Sequence, residues 1–289
     1  MPELPPFTPA DELYALDRAC VPEHVVALMA AISKGRPLRI GEYLAFSRDN
    51  WLTLVGYPLA GPFVEAECQA AIDQAVAAVQ PDTLWFIGPQ APAALAQACT
   101  ARSSDEYLQL ELDGLHIKPA LQRQAQEAAQ ALVVEREQAY TRQHKALVSE
   151  FMRRQELPGL VAALYRSMPD LLAGSSTACL LSAYTRRGKL SAFYVIETAA
   201  RRFDAYILGC YSRQHYVAHA SDLLFYQMIE LARANRKPAI NLGLGVSDGI
   251  RRFKRKWGGR PYLQYEFCEI TYRPPGPLGL LHAVLEARR

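Results

Sequence analysis

Between Ile250 and Trp257 the chain carries five cations, Arg251, Arg252, Lys254, Arg255 and Lys256. Ile250, Phe253 and Trp257 recur at i, i+3 and i+7, so a short helix would bury those three and ring its exposed side with the cations. Such a rooted positive knob suits the phosphates of a nucleotide, an acyl carrier or a transfer-RNA end, held by charge-assisted bonds. It equally describes a solvated charge run on an amphipathic turn. Just upstream, Asn241, Gly243 and Gly245 end an apolar run. The glycines permit positive φ or close backbone approach, as a ligand-facing loop or a plain tight turn requires.

Other side chains offer acid–base chemistry. Tyr211, Tyr216 and Tyr262 are phenols able to hold or protonate a leaving group, or they are packing residues. Glu197 closes an apolar run and could take the proton of an attacking amine, or stand in solvent as a strand-end carboxylate. Arg213 and Ser221 flank the start of a helical pattern, where a phosphate could bind. His215 and His219 have the i, i+4 spacing of helical metal ligands, but no Glu completes a metalloprotease motif, and a loop or capping role is expected instead. No metal is expected.

These residues need elements to position them. Apolar runs at Thr177–Thr185, Leu190–Glu197 and Phe203–Tyr211 predict three strands, the first two joined by a turn at Arg187-Gly188. A helix follows (Leu224, Phe225, Met228, Ile229, Ala232), capped by Ser221 or Asp222, then a strand Ala239–Leu242, the basic segment and a strand Tyr262–Ile270, giving βββαβ(α)β. The first half reads as a split helical preface (Asp11–Ser33, broken by Pro22) and a hairpin of Leu38–Phe46 with Trp51–Val55. A helix through Val64, Cys68, Ile72, Val76 and Val79 comes next, then a strand Leu84–Ile87, an Ala-rich helix Pro92–Thr100 and a strand Tyr107–Leu112, in all ββαβαβ. Helical stretches begin at Pro119 (Leu121, Ala125, Ala128, Leu132) and after Thr141, and continue near Leu157–Leu172.

At 289 residues, 50% hydrophobic and 21% charged, the chain has ordinary globular composition and room for two modest domains. A net charge of +3 excludes nucleic-acid binding by bulk charge alone. Cys20, Cys68, Cys99, Cys179, Cys210 and Cys268 form no CxxC pair and sit mostly in apolar runs, so reduced, packed thiols of a cytoplasmic protein are expected. The Pro-rich start has no basic n-region, and no apolar stretch reaches membrane-spanning length, so neither export nor membrane insertion is expected.

The run from Ile240 to Gly259 (INLGLGVSDGIRRFKRKWGG) resembles the strand–Gly–loop–G-hydrophobic-x-x-FK-x-x-aromatic-GG signature of Fem-type and related tandem-GNAT transferases. Lys118-Pro119-Ala120-Leu121-Gln122-Arg123-Gln124 resembles the helix start between the two halves of such proteins. The resemblance covers most of the chain loosely and about thirty residues tightly. It implies an α+β fold of two GNAT-like domains in tandem, each a mixed, mostly antiparallel twisted sheet flanked by helices. The expected layout is a helical segment over 1–35, a degenerate GNAT-like domain over 36–118, a helical connector over 119–175, and a C-terminal GNAT-like domain with the active cleft over 176–289. It also implies transfer of an acyl or aminoacyl group to an amine without a covalent enzyme intermediate.

On that resemblance the first expectation is an N-acyltransferase using an acyl thioester such as acetyl-CoA and a small-molecule or peptide amine. Tyr211, Glu197 and Tyr262 are its candidate catalytic residues. Arg213, Ser221, Asn241, Gly243, Gly245, Arg251, Arg252, Lys254 and Lys256 are its candidate carrier-binding residues. One departure bears on it: acetyl-CoA users place a Gly-rich loop before the helix, whereas Arg213–Asp222 contains no glycine, and Asp222 would repel a pyrophosphate there. The second expectation is an aminoacyl-tRNA-dependent Fem-type peptide ligase. The third is a non-catalytic tandem-GNAT binding protein.

Overall fold

The computed structural model describes residues 4–154 and 159–273, without the side chains of 159 and 160. In chain order the elements are α1 (Pro9–Arg18), α2 (Val26–Ser33), β1 (Arg36–Ile40), β2 (Tyr43–Arg48), β3 (Trp51–Val55), α3 (Glu65–Val79), β4 (Thr83–Gly88), α4 (Ala93–Ala98), β5 (Ala101–Glu111) and α5 (Pro119–Ala131). There follow β6 (Leu132–Glu137), α6 (Arg142–Arg154), α7 (Gly159–Gly174), β7 (Ala178–Thr185), β8 (Leu190–Glu197), β9 (Phe203–Tyr211), α8 (Ala220–Ala234), β10 (Ala239–Leu244), α9 (Asp248–Lys256) and β11 (Arg260–Thr271). The architecture is α+β, with mixed sheet flanked by helices. The described residues form two compact units: 4–8, 35–104 and 264–273 make the first, 9–34, 105–154 and 159–263 the second. Strands β5 and β11 each begin in one unit and end in the other.

In the first unit the strand order is β1-β2-β3-β4-β11. The β3/β4 pair is parallel and keeps its register over all five residues, from Trp51↔Thr83 to Val55↔Ile87. Its core gathers Leu52, Leu54, Leu84 and Phe86 from the sheet with Cys68, Ile72 and Ala75 of α3. In the second unit the order is β5-β10-β9-β8-β7-β6, antiparallel except for β10/β9. One face packs on α5 and α8 through Leu121, Leu224, Met228 and Ile229, the other on α2, α6 and α7 through Leu28, Leu147, Met168 and Leu171. Strand β8 is buried along its whole length, so its near-continuous apolar run (LSAFYVIE) reflects covering on both faces.

Several expectations are corrected. The run Leu38–Phe46 is not one strand: Gly41, at φ +58°, turns the chain so that β1 folds back on β2. Leu132 extends the apolar spacing of α5, yet it opens the strand β6 beside β7. Helix α8 begins at Ala220 with His219 as its N-cap residue, not Ser221 or Asp222. Cys99 and Cys268 are not free thiols but a disulfide, with Cα atoms 5.6 Å apart across 169 positions of sequence. Cys20, Cys68, Cys179 and Cys210 are free. The helical stretch expected near Leu157–Leu172 begins outside the described residues, as do positions 274–289 of the expected C-terminal domain. No helix among the described residues is long and apolar enough to cross a membrane.

Candidate functional site

The second unit holds a break in its sheet. Strands β9 and β10 pair only from Phe203↔Ala239 to Ala205↔Asn241, although β9 runs on to Tyr211. Gly243 stands at φ +70°, held by its N–H donating to Asn241 Oδ1 at 2.8 Å, and marks where the ladder ends. Past Ala205 the β10-facing edge of β9 therefore has no ladder partner in β10, leaving backbone groups that must find partners elsewhere. Asn241 is fully buried, and its Nδ2 makes no hydrogen bond among the described residues.

Lys254 lies at this divergence. A solvated ring of cations was expected on α9, but Lys254 is 5% exposed, donates to Leu244 O at 2.6 Å and lies 5.4 Å from the centre of the Tyr206 ring. Burial pushes its pKa down to about 7, with the charge of Asp105 opposing. The other cations are largely paired. Arg251 meets Asp105 at 2.6 Å across Gly245, where a Cβ would stand 2.2 Å from the Arg251 Nε, so a larger residue there would displace the guanidinium. Arg255 meets Glu106 at 3.2 Å, and Lys256 meets Asp222 at 2.6 Å. Arg252 is exposed and makes no ion pair among the described residues. Among the expected apolar anchors, Trp257 is buried and Phe253 partly so, whereas Ile250 is 40% exposed.

Asp222 is the staple between α8 and α9. It is buried, and it accepts the Trp257 indole N–H at 3.0 Å, meets Lys256 and lies 3.2 Å from His219 Nδ1. His219 and Val246 both hold left-handed backbone, φ 62° and 57°, at the loops flanking the divergence. Such strain, about 1–3 kcal/mol per residue, persists only when surroundings impose it and gathers at functional sites. Val246 is pinned by its N–H donating to Asp105 Oδ2 at 2.8 Å. Burial raises the Asp105 pKa, but hydrogen bonds from Val246, Arg251 and Glu106 outweigh it and leave the carboxyl below its ordinary value.

The loop between β9 and α8 carries its own anion. Glu150, on α6, accepts from the Arg213 N–H at 2.6 Å and from the Ser212 hydroxyl at 2.9 Å. Partial burial raises its pKa; the bonds from the Arg213 and Gln214 N–H groups and Ser212, with the Arg154 charge, bring it below the ordinary glutamate value. The Arg154 guanidinium stacks 4.7 Å from the centre of the Tyr211 ring.

Asn241, Gly243, Gly245, Arg251 and Lys254 are thus brought together, with Lys256 on the adjoining staple. The candidate catalytic trio is not. Glu197 pairs with Ala205 and Tyr211 with Ala192, so the two stand at opposite ends of β9, about 20 Å apart. Glu197 is neither in solvent nor poised toward an amine: it is 1% exposed and accepts from Thr198 N–H, Ala199 N–H and the Ser175 hydroxyl at 2.8–3.0 Å, closing the β8–β9 turn. Tyr262 lines a separate cavity of about 160 Å³ with Gln109, Glu111 and Arg202. Ser221 sits in the first turn of α8, its carbonyl accepting the Tyr194 hydroxyl at 3.0 Å. Arg213 is exposed, and its backbone rather than its side chain meets Glu150. Among the described residues no group of His, Cys, Asp and Glu is placed to hold a metal.

Sequence reasoning missed Asp105, Glu150, Tyr194 and Tyr206. Glu150 had a signal: it is the one acidic residue in α6, whose sequence RQHKALVSEFMRR is otherwise basic.

Compared with solved structures, this chain superposes on FemX with a TM-score of 0.63 at 11% identity, over 97% of this chain and 99% of that one. The C-terminal domain of an Agrobacterium fabrum protein described as a lysylphosphatidylglycerol synthetase gives 0.60 at 15% identity, over 97% of each chain. L-PGS from Bacillus licheniformis gives 0.53 at 16%, over 94% of this chain and 99% of that one. The fold is similar to that of FemX. No family model and no curated protein sequence matches the chain. The start of α8 is the part that the sequence resemblance associates with an acyl carrier.

Proposed function

We propose that this chain is an acyltransferase that moves an aminoacyl group from an ester on tRNA to an amine of a small molecule or peptide, as a Fem-type ligase does. The observation that carries the reading is the buried Lys254 at the divergence of β9 and β10, in a fold similar to that of FemX. An ester carbonyl inserted there would meet the Lys254 ammonium, which polarises it as negative charge develops on its oxygen. The acceptor nitrogen attacks the carbonyl carbon, the bond from that carbon to the ribose oxygen breaks, and a nitrogen proton leaves with that oxygen. Arg252 and the rim of α9 are positioned for RNA phosphates. The first unit, with its own strand–helix–strand β3–α3–β4, is on this reading a second, degenerate GNAT-like half in tandem with the active one.

The glycine-free β9–α8 loop favours an RNA-borne donor over an acyl-CoA thioester, because side chains and the stapled Asp222 stand where a pyrophosphate would need bare N–H groups. On the thioester reading, the divergence of β9 from β10 would receive the acyl arm instead. Calorimetric titration with an amide-linked aminoacyl CCA-ended RNA and, separately, with acetyl-CoA decides between them. The proposal expects saturable, salt-sensitive RNA binding and no saturation by millimolar acetyl-CoA. The reverse result establishes the thioester reading.

A further inference from the structure

At the C-terminal end of β9, the Arg213 N–H and the Ser212 hydroxyl donate to one carboxylate, that of Glu150, and the Gln214 N–H lowers its pKa from beside them. Successive backbone N–H groups in a turn that leads into a helix form a concave donor set that binds phosphate-like anions. The occupant here comes from another element of the same unit, sixty-odd residues earlier in the chain. Behind it lies Arg154, whose three guanidinium nitrogens are buried; among the described residues they make no hydrogen bond, and their one ionic contact is the 3.7 Å approach to Glu150. The ring of Tyr211 covers the guanidinium from one side.

We propose that Glu150 is a built-in anionic plug: it fills the anion-binding turn of the β9–α8 loop and so selects against donors that carry a pyrophosphate. A pyrophosphate entering this turn would lose its donors to Glu150 and meet a like charge within hydrogen-bonding distance. Without the carboxylate, the same donors and the unopposed Arg154 make a cationic site of the size of one phosphate group. The inference deepens the RNA-donor reading and rests on it for the identity of the donor, since it explains why a GNAT-like fold would take an acyl group from a carrier that needs no pyrophosphate cradle.

The test measures inorganic pyrophosphate binding by calorimetry to the full chain, as wild type, Glu150→Gln and Glu150→Ala, with folding checked by circular dichroism. Wild type is expected to show no saturable binding at millimolar ligand, and both variants to bind at least tenfold more tightly. Folded variants that bind no better than wild type overturn the plug, as does a wild type that already binds as tightly as they do. Should neither variant fold, amide NMR of the wild type replaces the comparison. The Arg213 and Gln214 N–H resonances must then shift as Glu150 titrates in acid, and resonances that do not respond overturn the proposal. Titration with the amide-linked aminoacyl RNA keeps the two readings apart. Intact RNA binding with no gain of pyrophosphate affinity in the variants defeats the plug alone, whereas acetyl-CoA saturating the wild type defeats the donor reading.

Discussion

The two units each contain a strand, a helix and a parallel strand, and they treat that motif in opposite ways. In the first unit β3 and β4 stay paired to their ends, and the Gly56 N–H continues the ladder by donating to Ile87 O at 2.6 Å. The Phe86 ring fills the space beside both strand ends, within 2.5 Å of where a Cβ on Gly56 or Gly88 would stand. In the second unit β9 and β10 part after three residue pairs, and a buried lysine rather than a phenylalanine occupies the opening. A closed parallel pair is a stable element with nowhere to admit a ligand. An open one leaves polar groups unsatisfied, which folding tolerates only where another benefit offsets the penalty.

The largest expected effect tests the open pair. Lys254→Met should lower the rate of aminoacyl transfer about 10²–10³-fold, the magnitude typical of losing one preorganised donor, while circular dichroism still reports a folded chain. Asp222→Ala comes next: it leaves the Trp257 indole N–H buried without a partner and Lys256 without its anion. Denaturant unfolding should show a loss of about 2–3 kcal/mol. In the closed pair, Gly88→Ala drives a methyl into Phe86 and should cost about 1–3 kcal/mol, most of it restored by adding Phe86→Leu. Transfer per folded molecule should not change in either first-unit variant.

The pH dependence is graded rather than a single loss. Lys254 is held near 7 in the folded chain and returns to about 10.4 when unfolded. Between those values the unfolded state binds more protons, so stability rises with pH, by at most about 1.4 kcal/mol per unit from this group. Below about 7 both states are protonated and the burial penalty is present in full. The contribution is the difference between wild type and Lys254→Met, read from unfolding curves at pH 6 to 10; equal slopes would mean that Lys254 is not buried as a titrating group.

Why the sequence read some of this and not the rest follows from particular residues. Strands β7, β8, β9 and β10 and helix α8 announce themselves through apolar runs and spacing, and each lies close to where that pattern puts it. Lys254 was legible too: it stands four residues after Ile250 and three before Trp257, on the same helical face, and only its charge argued for solvent. Glu150 against Ser212 and Arg213, Asp105 against Arg251, and Cys99 with Cys268 are pairings across 62 to 169 positions, set by how the strands stack. Periodicity carries no such information. The edge strand β6 was lost because Leu132 continues the spacing of α5 while its later residues, Val133 to Glu137, alternate too weakly to oppose it.

The central claim is that chemistry belongs to the open strand pair and that the donor is an aminoacyl ester. Single-turnover transfer of a labelled aminoacyl group from charged tRNA to an amine acceptor tests it most directly, with wild type, Lys254→Met and Gly88→Ala run side by side. The account predicts amide product with wild type and Gly88→Ala, and a loss of at least a hundredfold with Lys254→Met. Transfer that survives Lys254→Met unchanged, or that requires acetyl-CoA in place of charged tRNA, would contradict it.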